Sequence, residues 1–250
     1  MKGAVDSGLI ELFGPYFYTS IILFFLIMMI SMAELLLSTF VIIGQLPKGF
    51  HIELITNVVN SDIVISFLPI VSTIPFAGRY VDDIKNNFAR LFLVRSSFRA
   101  YIGGRIIVSF LAGGLTTLSS LLIAWGTSAL VIMPLEQKND TIIITSLFRL
   151  IRICFLLFVK GGFWSVVGMA MSTLMESKYI SYATPFVFYY LLVILYERYF
   201  SNLFIIYPKM WIDPSAWPFG CWGAAIFLLE MTLIFAFLFA YRARRRLQQL

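Results

Sequence analysis

Residues 16–43 read YFYTSIILFFLIMMISMAELLLSTFVII, an apolar run interrupted by one charge, Glu34. A bilayer core about 30 Å thick is crossed by roughly 20 apolar residues in a helix. This run is long enough, and a helix that is apolar all round needs lipid or a deep core about it. The rest of the chain keeps the same character. Of its 250 residues, 60% are hydrophobic, 17% aromatic and 13% charged, with a mean hydropathy of +0.90. Soluble domains are about 25% charged, so this chain lacks the polar surface that water requires.

Working outward, further apolar runs occupy 63–78, 106–133, 163–175, 182–196 and 221–241. The expected fold is all-α: one transmembrane domain over residues 1–250 with six spans. Before the first span, LIELF at 9–13 is followed by Gly14-Pro15, which predicts a short interfacial helix ending at a breaker. The first span is too long for a signal-peptide core and has no small-residue cleavage site, so it is expected to be retained. The stretch 45–60, QLPKGFHIELITNVVN, is polar enough to be expected outside the membrane as a loop. Pro69 and Pro75 predict a kink near the end of the second span. The third span carries GGLTTLSS at 113–120, a small-residue face suited to close helix packing.

The region 141–175 looks too long and too charged for one span. Arg149 and Arg152 share a helical face opposite Leu150, Ile153 and Leu157, so 146–158 is expected to be amphipathic or re-entrant. Lys160-Gly161-Gly162 then serves as the break before a short fourth span. The aromatics Tyr207, Trp211, Trp217 and Trp222 are expected to line one membrane interface as a belt.

The formal net charge is +6, from 19 Lys and Arg against 13 Asp and Glu. The cations sit between and after apolar runs rather than on a solvated basic face, which argues for a membrane partner and against nucleic acid. With the amino terminus inside, Lys2, the six cations from Arg79 to Arg105, Lys178, Arg242, Arg244, Arg245 and Arg246 fall on the inner side. That is twelve of the 19, so both termini are expected in the cytoplasm.

Catalytic patterns are missing. The chain has no G-x-x-x-x-G-K-[ST], H-E-x-x-H, C-x-x-C or G-x-S-x-G. His51 is its only histidine, and Cys154 and Cys221, both in apolar surroundings, read as inert thiols. The chain is expected not to be an enzyme and to hold no metal or cofactor of its own.

The most informative interior stretch is 79–105, RYVDDIKNNFARLFLVRSSFRAYIGGR. A turn between neighbouring spans needs far fewer residues. Asp82 and Asp83 precede Lys85, while Ile84, Phe88, Leu91 and Phe92 recur at helical spacing. This predicts a short amphipathic helix with an apolar stripe facing the cytoplasm. A loop that only set topology would need no such stripe, so a docking helix is favoured.

Together these features resemble the permease subunit of an ATP-binding-cassette exporter of the type 2 class. The resemblance covers nearly the whole chain. It rests on the six-span layout, the interfacial amino-terminal helix and the long first cytoplasmic loop. Two passages add to it: FAGRYVDDIKNNFARLFLVRSSFRAYIGGR at 76–105 and WSVVGMAMSTLMESKYISYATPFVFYYLL at 164–192. The resemblance implies that Tyr80 to Leu91, with Asp82, Asp83, Lys85 and Phe88, forms a coupling helix. A separate ATPase subunit, carrying the ATP and Mg, would dock there. It also implies a second permease copy or homologue, since six spans are half a translocation pathway, and a location in the cell membrane of a bacterium.

Ionisable residues inside spans are costly and mark interior or functional positions. Glu34 and Lys160 lie at similar depth with opposite sign and are expected either to pair or to face, respectively, a wet cavity and the headgroups. Glu230, mid-way along the sixth span, is expected at a dimer interface or a pathway. Two other classes would share the spans: a non-transporting assembly factor or sensor, and an ion-coupled secondary transporter. The first would need no docking helix, and the second predicts internal repeats that are not evident here.

Overall fold

The computed structural model describes residues 11–40, 46, 49–86, 88, 97–136, 144–175, 177–212 and 217–247. Eight α-helices account for most of them: α1 (Pro15–Phe40), α2 (Phe50–Val59), α3 (Asp62–Thr73), α4 (Arg79–Lys85), α5 (Phe98–Ile132), α6 (Ile144–Met175), α7 (Lys178–Arg198) and α8 (Cys221–Leu247). No strand occurs among the described residues. Five helices are long and apolar enough to cross a membrane, and a sixth crossing is reached if the bent pair α2–α3 counts as one. The chain is therefore an all-helical, multi-pass membrane protein.

The ends of these helices follow from local chemistry. Pro15 opens α1, where its missing N–H costs nothing. Ser61 accepts from the Val64 amide at 3.4 Å and caps α3. The same hydroxyl donates to Val58 O at 2.7 Å and receives the Ser31 hydroxyl at 2.8 Å. One side chain thus ties the end of α2, the start of α3 and the middle of α1 at the point where the pair bends by 65°. Ser97 caps α5 in the same way, accepting from the Ala100 amide.

Helix α6 is the hub. In its most apolar stretch 72% of residues are buried inside the protein, against 17% in α7 and 28% in α1. It packs most extensively on α5, then on α8, α7 and α3. Glycines make the α5–α6 approach close. A Cβ on Gly113 would strike Ser165 Cβ at 2.5 Å, and one on Gly161 would strike Gly113 O at 2.7 Å. Polar links cross the same seam: Ser109 to Ser165 at 3.0 Å, and Thr117 Oγ1 donating to Leu157 O at 3.1 Å.

Several expectations are corrected here. Lys160-Gly161-Gly162 is no break, and there is no separate 163–175 span, because α6 runs unbroken from Ile144 to Met175. Its glycines provide close approach to α5 rather than chain freedom. Residues 50–59 are not a loop but the helix α2, with all but Glu53 and Asn57 buried. The sharp bend lies at 60–61 and not at a proline. Pro69 sits inside α3, and the helix ends at Thr73, before Pro75. The aromatic belt is also revised. Trp211 and Trp217 are buried, donating their indole N–H groups to Ile205 O and Met210 O, each at 2.8 Å. Trp222 alone of the three faces outward. The expected 9–13 helix lies partly outside the described residues, and within them Glu11 and Leu12 are helical.

Candidate functional site

The short helix α4 follows the α3 turn and sits at the end of the bundle where α5 begins and α8 finishes. Three of its side chains reach three different long helices. Tyr80, 1% exposed, packs edge-on against Phe239 of α8 with ring centroids 5.1 Å apart. Asp82 pairs with Lys178 at the start of α7 at 2.5 Å. Asp83 accepts from Arg105 Nη2 at 2.7 Å and from the Tyr101 hydroxyl at 2.6 Å, both on α5.

Arg105 is the centre of that last group. Its other terminal nitrogen donates to Glu11 Oε2 at 2.8 Å, and its guanidinium lies over the Phe76 ring at 5.3 Å and the Tyr101 ring at 5.6 Å. Arg105 and Asp83 are buried, while the Glu11 side chain is about one third exposed at 33%. Burial pushes the Asp83 carboxyl above its ordinary value, against the opposing pull of the Arg105 charge and the Tyr101 hydroxyl.

The depth of the cluster makes it tolerable. Helix α5 has 35 residues, so it is about 50 Å long, well over the ~30 Å hydrocarbon core. Arg105 lies two turns from its start, near the end of the helix and away from its middle. A paired, hydrogen-bonded charge can be held there at less cost than at mid-depth.

Comparison with known protein families, curated proteins and solved structures finds no match. The arrangement has to be read from its own geometry.

The residues expected to form a docking helix are only partly assembled that way. The helix Arg79–Lys85 ends at Asn86, Phe88 is helical again, and the rest of 87–91 lies outside the described residues. Tyr80 and Asp83 turn into the bundle, and Ile84 packs on the cluster formed by α5, α6 and α8. Of the expected apolar stripe, Ile84 is thus turned to the chain's own core, and Phe92 lies outside the described residues. Lys85, Asn86 and Phe88 face out, whereas Leu91 lies outside the described residues. Sequence reading missed Glu11 and Tyr101 as partners in this cluster and counted Arg105 only among the inner-side cations. The one available signal was an arginine inside an apolar helix, which calls for a carboxylate partner.

The intramembrane residues separate. Lys160 is wholly buried mid-way along α6 and donates to the Pro208 carbonyl at 3.1 Å, while Glu34 is exposed on the outer face of α1. They do not pair, because α1 turns its Glu34 face away from α6. Nor does Lys160 reach outward to headgroups. Glu230 is exposed on the outward face of α8. Pro208 belongs to a connection between α7 and α8 made of two 3-10 turns, Phe204–Ile206 and Pro208–Trp211. Its Trp211 stacks on Trp164 of α6 at 5.9 Å.

At the same end of the bundle as this connection, Glu136 closes a second polar group. Its carboxylate accepts the backbone N–H groups of Gly49 and His51, each at 2.9 Å, and meets His51 Nδ1 at 2.8 Å. A side chain from the end of α5 thus caps the start of α2.

Proposed function

We propose that this chain is the membrane-spanning subunit of an ATP-driven exporter, forming half of a translocation pathway and driven by a separate ATP-binding-cassette ATPase. The observation that carries the reading is the attachment of α4. A seven-residue helix whose Tyr80, Asp82 and Asp83 grip α8, α7 and α5 cannot be pushed without moving three long helices. That is the mechanical property a force-receiving element needs. A loop that only set topology would not need it.

The resemblance of 76–105 and 164–192 to type 2 exporter permeases supports the same reading. So does the charge pattern, with Arg244, Arg245 and Arg246 in the last turn of α8, near Tyr80 and Phe239 and on the expected cytoplasmic side. In this reading both termini are cytoplasmic in a bacterial cell membrane. The ATPase meets the outward residues Lys85, Asn86 and Phe88, and ATP and Mg belong to that partner. A second copy or a homologue completes the pathway, and the outward Glu230 is available to it.

Co-expression with an ATPase encoded beside this chain tests the reading. The ATPase should co-purify with the full chain in detergent, and Phe88→Asp should release it. A cysteine replacing Lys85, in a background with Cys154 and Cys221 removed, should be labelled from the cytoplasmic side only. Labelling from outside, or no ATPase bound to the unaltered chain, would falsify the proposal.

A further inference from the structure

A cleft of about 430 Å³ opens between the start of α1, the α3–α4 turn and the start of α7. Its polar lining includes Arg79, Lys85, Lys178, Asp82, Tyr16 and Tyr182. Three cations face one carboxylate, and that carboxylate is already taken by Lys178. Among the described residues no ion pair reaches Arg79 or Lys85. Arg79 rests over the Tyr16 ring at 5.8 Å, and its buried Nε has no hydrogen-bond partner. A buried donor on a charged group without an acceptor is costly and points to an acceptor supplied from outside.

Position narrows the chemistry. Each wall of the cleft is a helix end: the first turn of α1, the residues after α3 and the junction of α6 with α7. These are the levels at which spans leave the apolar layer. Arginine and lysine side chains converging with tyrosine hydroxyls suit an oxyanion with several acceptor oxygens. Basic pockets between spanning helices at headgroup depth are the form that recognition of anionic lipids takes.

We infer that this cleft binds a phosphate ester, held by Arg79, Lys85 and Lys178 with the Tyr16 and Tyr182 rings as walls. The same chemistry is offered by an anionic phospholipid headgroup and by a soluble phosphate ester. Lys85 is shared with the face offered to an ATPase on α4, so binding is measured on the purified full chain alone, without that partner.

Native mass spectrometry with phosphatidylglycerol, phosphatidylcholine and glycerol phosphate makes the test. Phosphatidylglycerol should bind at least about tenfold more tightly than phosphatidylcholine, and Arg79→Gln with Lys85→Gln should remove most of that preference. Lys85 is exposed, so Lys85→Gln alone folds and should weaken binding measurably. Arg79→Lys should retain part of it. Arg244→Gln with Arg245→Gln, which removes two charges from the end of α8, should leave it unchanged. Competition by glycerol phosphate at comparable affinity assigns the site to soluble esters. Binding of the lipid alone assigns it to the membrane. Equal binding of the two lipids together with no binding of glycerol phosphate overturns the inference. So does equal weakening by the cleft variants and the α8 variants, which would mean that general surface charge, and no built site, attracts the ligand.

Discussion

The two ends of the bundle bury polar groups for different reasons. At the α4 end, Arg105, Asp83, Tyr101 and Glu11 form a connected network in which each charge answers another. On the side of the α7–α8 connection, Lys160, mid-way along α6, is buried as deeply, but among the described residues it donates only to a backbone carbonyl, Pro208 O. A network of mutually dependent charges links elements that must move together, since losing one member strands the others. A single lysine amine donating to a carbonyl fastens one segment and transmits little. The difference teaches that buried charge alone does not mark the working end; connectivity does.

Removing the central member of the network should have the largest effect. Arg105→Met leaves Asp83 and Glu11 without their cation, and breaking a buried pair on one side costs about 3–5 kcal/mol. Thermal unfolding of the purified chain in detergent should show it as a large drop in Tm. Adding Asp83→Asn should return much of the loss, because Glu11 is partly exposed and can turn to water. If the double variant is no more stable than the single one, the network does not act as a unit and the contrast between the ends fails.

Next in size is the α5–α6 seam that joins the ends. Gly161→Val pushes a branched side chain against Gly113 O and Thr117, and overpacking of this kind costs about 1–3 kcal/mol. Gly126, on the facing helix α5 but with open space around it, should accept alanine without loss. Equal damage at both positions would mean that close approach does not set the cost, since both substitutions raise helix propensity.

Lys160→Met sharpens the comparison from the other side. The variant loses one hydrogen bond, worth about 1 kcal/mol, but also removes the need to bury an ammonium. Its stability should therefore lie within about 1.5 kcal/mol of the parent. A loss as large as that of Arg105→Met would show that Lys160 anchors a network of its own.

How far the sequence foretold this depends on what each signal can distinguish. Spans were legible because length and apolarity are local properties. The small face at 113–120 was legible too, since glycine, threonine and serine in one apolar helix suggest close packing. Gly161-Gly162 was misread because glycine serves both chain freedom and close approach, and only the neighbour, here Phe110 or Gly113, tells them apart. Helix α2 was taken for a loop on its polarity. Yet Glu53 and Asn57 lie four apart and share the exposed side, so the one-sided polarity of a half-buried helix was present to be read. The Asp83–Arg105 pair was hidden for a different reason. Nothing in a run of two aspartates tells which one faces Arg105, 22 positions away, and which one faces Lys178. Asp82 and Asp83 point to opposite elements only because α4 is wedged between α5 and α7.

The smallest effect concerns Glu136, which caps α2 from the end of α5. Burial opposes its charged form, but the N–H groups of His51 and Gly49 more than compensate and hold the carboxyl below its ordinary value of 4.5. A depressed folded value means that the cap contributes fully above pH 4.5 and is lost as pH falls through that lower folded value. Hydrogen exchange of the peptide containing Gly49 and His51 should therefore stay slow at neutral pH. After correction for the intrinsic rate, its protection should decrease on acidification well below pH 4.5. Glu136→Gln should reproduce the acid behaviour at neutral pH, at a cost of about 1 kcal/mol, because a neutral amide accepts the two N–H groups more weakly than a carboxylate. Exchange in the peptide around Asp83 and Tyr80 should not respond to this variant, since no contact of Glu136 reaches α4. A response there would mean that the two ends are coupled through α5, so that the separation between a transmitting end and a fastened end would no longer hold.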